Sequence, residues 1–456
     1  MLAPLVQSRP GSFYAILLAG ALIGRPAPAF DLLGRGELTV SEASEIVRSR
    51  EHWEICLPNL TTLSPEVATA LASGPGYYRL SLPALATLSP ETARALAGFG
   101  GDLDLPAVTV LESDTAAAFA PHRGILELGG LARLEPEAAA ALADHAGQLC
   151  LSGLTVLEPA VADSLGRHVG QLALPGLTTL APEAARALAG HRGESLILGG
   201  IVSLSPDVAA ALGHHQGCLM LPRLAALSVE TAAQLARHVG PLSLDGFGEL
   251  RAEVAIALAG HRGMLTLGGG SILSVKAAAA LALHEGTLSL PAVNLLSADA
   301  ALALAPHRGV LCLPSMSTLA RESAEALALH RGVLVLSGLS TLEPAAATAL
   351  ARHGGDIDLF KLTQTARLDS PAVAGLLADK TPLLSLPNVK RLDGEESIAV
   401  ARALAGGGGT VSIPNLRVAS RLTLAALLAN GNVSIPPLEA IVLSAESDAS
   451  AVAGRP

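Results

Sequence analysis

The sequence is poor in aromatic residues. Phe, Trp and Tyr make up 2% of its 456 residues, although 50% of the chain is hydrophobic. A single globular core draws on large rings to fill its centre. A chain whose apolar content is mostly Leu, Ala and Val suits thin, regular layers better. Positive charge is also scarce: the formal net charge is -10. No basic stripe with interleaved aromatics occurs, so nucleic acid is not an expected partner. The cysteines, Cys56, Cys150, Cys218 and Cys312, are too sparse for a disulfide scaffold.

Catalytic signatures are missing as well. The glycine runs "LGGGS" (267–271) and "AGGGGT" (405–410) are not followed by Lys-Ser/Thr, so neither is a P-loop. "HEGTL" (284–288) lacks the second His of a zinc-protease helix, and neither C-x-x-C nor G-x-S-x-G is found. The chain is therefore expected not to be an enzyme and to carry no cofactor.

Residues 1–30 contain no acid. There Arg9 precedes the apolar run "FYAILLAGALIG", and "RPAPAFD" follows with Ala27 and Ala29 in an A-x-A arrangement. This pattern predicts an export signal over 1–29 with cleavage after Ala29. The run is too short to span a bilayer, which takes about 20 residues, and no other segment has the apolar length of a transmembrane helix. The expected location is secreted, periplasmic or cell-surface, with a cytoplasmic protein as the alternative.

What the chain does have is a repeat. Aligned on L-x-L, the second apolar residue falls at Leu57, Leu82, Leu105, Leu128, Leu151, Leu174, Leu198, Leu221, Leu244, Leu267, Leu290, Leu313, Leu336, Leu359, Leu386, Ile413 and Ile435. Most steps are 23 residues, with steps of 27 leading to Leu386 and Ile413. A fixed period of this size means a solenoid, in which each unit buries its apolar face against its neighbours.

The unit reads L-x-L-P-x-L-x-x-L-S-P-E-x-A-x-A-L-A-x-H-x-G. L-x-L predicts a short strand with two leucines inward and the middle residue outward. A following Pro, as at Pro58, Pro83 and Pro106, ends it. Ser64-Pro65-Glu66 and its equivalents read as an N-cap, a proline in the first turn and an acid at the positive end of a helix dipole. In "PETARALAG", Ala93, Leu96 and Ala97 make one apolar stripe. The Gly two residues after His is expected to end the helix in a left-handed conformation.

One strand and one short helix per unit resembles the leucine-rich-repeat family over about residues 38–436. The resemblance implies an α/β solenoid of about 17 units, with a concave strand layer inside and short helices outside. The familiar Asn, three residues after the second strand leucine, is absent: Leu60, Leu85, Val108, Leu131, Leu154, Leu177 and Ile201 stand there. Bacterial variants with an I-x-I-P strand are more similar. A parallel β-helix, which could house a polysaccharide-active enzyme, is the competing fold. It needs about three strands per turn, whereas "PEAARALAGH" is a helix former. The expected organisation is an N-terminal cap over 30–54, the solenoid over 55–436, and a cap or disordered tail over 437–456.

Several residue rows are candidates for function. His122, His145, His168, His191, His215, His238, His261, His284, His307, His330 and His353 recur at one unit position. A His row could bind metal, but its place at every helix end argues for capping of free carbonyls, and no metal is expected. Arg123, Arg192, Arg262, Arg308 and Arg331 follow as solvated helix-end charges. On the middle row of L-x-L, Asp104 and Glu127 are neighbours, either a weak cation site or two solvated acids. Lys361, Lys390 and Arg391 lie in the two longer units and are candidates for an interaction surface, against a reading as decay toward the cap. The cysteines are expected to be free thiols. The expected role is an extended surface for another protein or a surface glycan, with an intracellular scaffold or regulator as the alternative.

Overall fold

The computed structural model describes residues 34–48, 54–74, 79–246 and 248–444. The expected export segment, Trp53 and residues 445–456 lie outside these. The first described helix, Val40–Arg48, turns Ala43 and Ile46 inward. Its start is a reciprocal cap: Glu42 accepts from the Thr39 amide at 2.8 Å, and the Glu42 amide donates to Thr39 Oγ1 at 3.3 Å.

From Glu54–Cys56 to Ile357–Asp358, fourteen short strands pair in chain order in one parallel sheet, each pair joined by a helix. Register is kept throughout: Leu80 lies beside Leu103, Leu103 beside Leu126, and Leu334 beside Ile357. The two leucines of each L-x-L face the core, as with Leu80 and Leu82, both 0% exposed. Parallel strands linked by helices exclude the β-helix.

The local rules hold inside each unit. The Ser64 hydroxyl accepts from the Val67 amide, and Pro65 opens the helix Pro65–Ala72. Ser89 and Ser205 cap their helices in the same way. Ala93, Leu96 and Ala97 form the buried stripe of theirs. Small alanines let successive helices lie against one another and against the strands. The apolar residues at the expected Asn position are buried, and their amides fold back within the unit. Leu60 donates to the Leu57 carbonyl at 3.3 Å, and Leu85 to Leu82 at 3.2 Å. An Asn ladder is thus not needed for these donors.

The conserved-looking spacing of His-x-Gly has another cause than the one expected. The glycines after His do not adopt a left-handed backbone; among the described glycines only Gly270 and Gly431 have positive φ. Their constraint is the close approach of the next layer. A Cβ on Gly309 would run into the Gly286 carbonyl, and one on Gly170 into the Gly147 carbonyl.

The histidines are buried between layers rather than set on exposed helix ends; each of the eleven is at most 2% exposed. Adjacent rings stand 5.4–6.1 Å apart and are mostly stacked. At His261, Nε2 donates to the Gly240 carbonyl of the preceding unit at 3.0 Å, while Nδ1 accepts from the Gly263 amide at 3.1 Å. His191 and His353 repeat the first bond, and His284 and His330 the second. At His261 the two bonds fix a neutral imidazole with its proton on Nε2, whereas at His122 and His168 it is Nδ1 that faces a carbonyl, of Phe99 and of Ala143. The row ends at defined residues: the Phe99 carbonyl lies 3.1 Å from His122 Nδ1, and Lys380 Nζ donates to the His353 carbonyl at 2.6 Å. Lys380 occupies the His position of its own unit. Two units later Asn430 and Asn432 donate to the carbonyls of Ala405, Gly407 and Gly409 instead.

The regular stacking of 17 like units is interrupted after Asp358. Extra residues there form a short helix, Phe360–Thr363. The chain then builds two separate three-stranded parallel sheets. One contains Leu383–Ser385, Thr410–Ser412 and Val433–Ser434; the other contains Arg391–Leu392, Val418–Ala419 and Val442–Leu443. The two longer C-terminal units differ: the first spends its extra residues on Phe360–Thr363, the second carries the added strand Arg391–Leu392, and both have longer helices, Pro371–Lys380 and Ser397–Gly406.

Candidate interaction surface

The middle residues of L-x-L form one row across the sheet, from Cys56 beside Ser81 to Val335 beside Asp358. Most of their side chains are small, and exposure varies along the row. Ser81 is 4% exposed and Cys150 7%. Toward the middle of the row, Ile197, Met220 and Thr266 are partly exposed.

Asp104 and Glu127 are adjacent, as the register predicts, but they are neither solvated nor an open cation site. Arg79 lies between them, with Nη2 at 3.0 Å from Asp104 and 2.9 Å from Glu127. Ser81 Oγ donates to Asp104 at 2.8 Å. Both carboxylates are mostly buried, at 16% and 15% side-chain exposure. Burial, with Asp104 close by, raises the Glu127 pKa, and Arg79 opposes the rise. Arg79 begins the strand Arg79–Ser81 in register with Asp102, and its length lets it reach diagonally over two layers. It does not belong to the middle row of L-x-L. The signal was present in a second outward row, two residues earlier.

The thiols are free: Cys56 is exposed, Cys150 buried, and Cys218 and Cys312 intermediate. Burial pushes Cys150 up to about 12, with Glu127 adding to the effect, and burial likewise lifts Cys312 to about 11. These are poor nucleophiles at neutral pH. Among the described residues no group of three or more His, Cys, Asp or Glu is placed to hold a metal ion.

The C-terminal cations are divided. Lys361 is exposed on the short helix after the fourteenth strand. Lys390 and Arg391 line a separate groove of about 870 Å³, together with Arg367, Asp369, Asp393, Glu395 and Glu396. Arg391 is held by Asp393 at 2.5 Å, and Arg367 by Asp369 at 3.2 Å. Arg123, Arg192, Arg262, Arg308 and Arg331 are all exposed, as expected for helix-end charges.

Strands that follow one another in a single parallel ladder, with inward leucines and an outer layer of short helices, decide the architecture. The fold is a leucine-rich-repeat solenoid. No protein-family model matches the chain, and no curated protein does. Solved structures do. A chain of the Drosophila Toll–Spatzle complex matches with TM-score 0.41 and 13% identity, over 82% of this chain and 53% of that one. This solenoid thus spans about half the length of that chain. A leucine-rich-repeat protein of Leptospira interrogans matches with TM-score 0.33 and 14% identity, over 81% of this chain and 97% of that one. An internalin of Listeria monocytogenes matches with TM-score 0.35 and 11% identity, over 90% and 97%. Among the described residues no helix is long and apolar enough to cross a membrane.

Proposed function

We propose that this solenoid is a non-enzymatic interaction protein that presents its strand face to another protein, after export to the periplasm, the cell surface or the medium. The observation that carries the reading is the unbroken fourteen-strand ladder. It sets mostly small, mixed side chains in a long row. Repetition of weak contacts along such a row supplies affinity that no single residue would. Its polar start, at Arg79, Asp104 and Glu127, and its apolar centre, at Ile197 and Met220, give the row a direction.

A photoreactive residue at Thr266, which is partly exposed on the strand face, tests this in native cells. The control is Ala279, exposed on the helix side. A protein adduct at Thr266 and none at Ala279 is expected. Adducts at Ala279 alone would place binding on the wrong face, and a carbohydrate adduct would identify a surface glycan instead. Export has its own test: the mature N-terminus from native cells should follow Ala29. An intact N-terminus would favour an intracellular scaffold or regulator.

A further inference from the structure

We infer that the groove beside Arg391 is a second docking site, which takes an extended basic peptide segment by adding it as a strand to an open sheet edge. The inference rests on the reading of this solenoid as a protein-binding one, and it names a surface apart from the fourteen-strand face.

The groove exists because the ladder is broken. Among the described residues Arg391–Leu392 is the first strand of its sheet, pairing with Val418–Ala419 on one side only. On the other side, the preceding unit has spent its extra residues on the helix Phe360–Thr363 and offers no strand. Ala366, Arg367, Leu368 and Asp369 form the opposite wall across the groove. Asn388 ties the two units together by donating to the Gln364 carbonyl at 2.9 Å.

The edge has the polarity of a strand acceptor. The Val418 amide donates to the Lys390 carbonyl at 3.1 Å, with Arg391 in register with Val418. In a parallel ladder this turns the backbone groups of Lys390 and Leu392 toward that neighbour. Those of Arg391 point the other way, into the groove. Leu392 is 2% exposed, so its side chain anchors the strand in the core and keeps the edge in place. An unpaired edge of this kind is a template for an incoming extended chain.

Charge selects the occupant. Arg391 and Arg367 are each engaged by an aspartate, which leaves Lys390 against Glu395 and Glu396. The excess is acidic, as is the whole chain at a net charge of -10. A basic partner is attracted both at long range and at the groove wall. An acidic peptide is repelled by both.

The test measures binding of a dye-labelled peptide of about eight alternating valines and lysines to the full chain, with the valine–glutamate peptide as control. Proline at an edge position with an outward N–H is compatible with a sheet, so Arg391→Pro removes the docking donor and Arg391→Ala removes only the side chain. The lysine peptide is expected to bind at least about tenfold more tightly than the glutamate one. Arg391→Pro should weaken it about tenfold, Arg391→Ala by less than about threefold, and Glu395→Gln with Glu396→Gln severalfold. Amide exchange at Arg391 should slow on binding. Equal affinity for both peptides, unchanged binding by a folded Arg391→Pro, or no protection at Arg391 would overturn the inference. Should Arg391→Pro fail to fold, the exchange experiment and the glutamate variants decide it. Adducts at Thr266 with no peptide binding here would sink this inference alone and leave the strand-face reading standing.

Discussion

His261 bonds backward to Gly240 of the preceding unit through Nε2, at 3.0 Å, while its own unit's Gly263 amide occupies Nδ1. Both nitrogens are committed to the neutral ring. A proton added to Nδ1 would meet the Gly263 N–H head on. Burial lowers the pKa of all eleven histidines, and burial comes first among the causes in each. His145 falls to about 3, and His191, His284, His307 and His330 to about 4. Neighbouring histidines lower these further. The groups around the row oppose one another: Asp102 raises His122, Glu285 raises His284, and at His353 Asp356 raises while Lys380 lowers.

The sign for stability follows. Each folded pKa lies below the unfolded value of about 6.5, so the unfolded chain binds more protons between the two. Stability from the row is full above about pH 6.5 and is lost as pH falls from there toward about 4. Thermal melts at pH 7.5, 6, 5 and 4 should show a steady fall. Replacing His238, His261 and His284 by Gln should lower the melting temperature at pH 7.5 and flatten its dependence on pH. A melting temperature that holds or rises on acidification would refute the assignment of neutral rings.

The repeat, its helix caps and its inward leucines were legible in the sequence because each follows from local spacing. Ser64-Pro65-Glu66 specifies a helix start without reference to any distant residue. The fate of His and Gly was not legible in the same way. A His before a helix-ending Gly looks like a surface cap within one unit. It becomes a buried ladder only when the next layer closes over it. Arg79 was missed for a similar reason, since its partner Glu127 is two layers away. The second strand at Arg391–Leu392 has just two residues, too few for a periodicity to show.

A methyl group should be enough to disturb the ladder. A Cβ at Gly309 would overlap the Gly286 carbonyl, a backbone atom that cannot swing aside. Gly309→Ala should therefore cost about 1–3 kcal/mol, the range for forced overpacking. Gly408 has open space and no positive φ, so Gly408→Ala should be close to neutral. Urea denaturation of the two variants checks the contrast. Equal midpoints would mean that the layers have more room than the spacing shows.

The thiols should differ sharply in access. Denatured, unreduced protein should titrate all four cysteines. In the native chain Cys56 should react first with a small alkylating reagent, because it is exposed. Cys150 should react last, being 7% exposed with its thiol held up to about 12. Mass spectrometry of timed samples gives the order. Early labelling of Cys150 would show that the row is open to solvent at that layer.

Arg79 fills the place where a cation would otherwise sit between Asp104 and Glu127. In Arg79→Ala the two mostly buried carboxylates face each other without a counter-charge. Leaving such acceptors unpaired costs about 1–3 kcal/mol, and the loss should shrink as pH falls toward 4 and one carboxyl takes up a proton. A divalent cation could then enter. Calcium at about 10 mM should leave the melting temperature of the unaltered chain unchanged and raise that of Arg79→Ala. The same rise in both would mean that calcium binds elsewhere. No rise in either would mean that the two carboxylates cannot close around an ion even when Arg79 is gone.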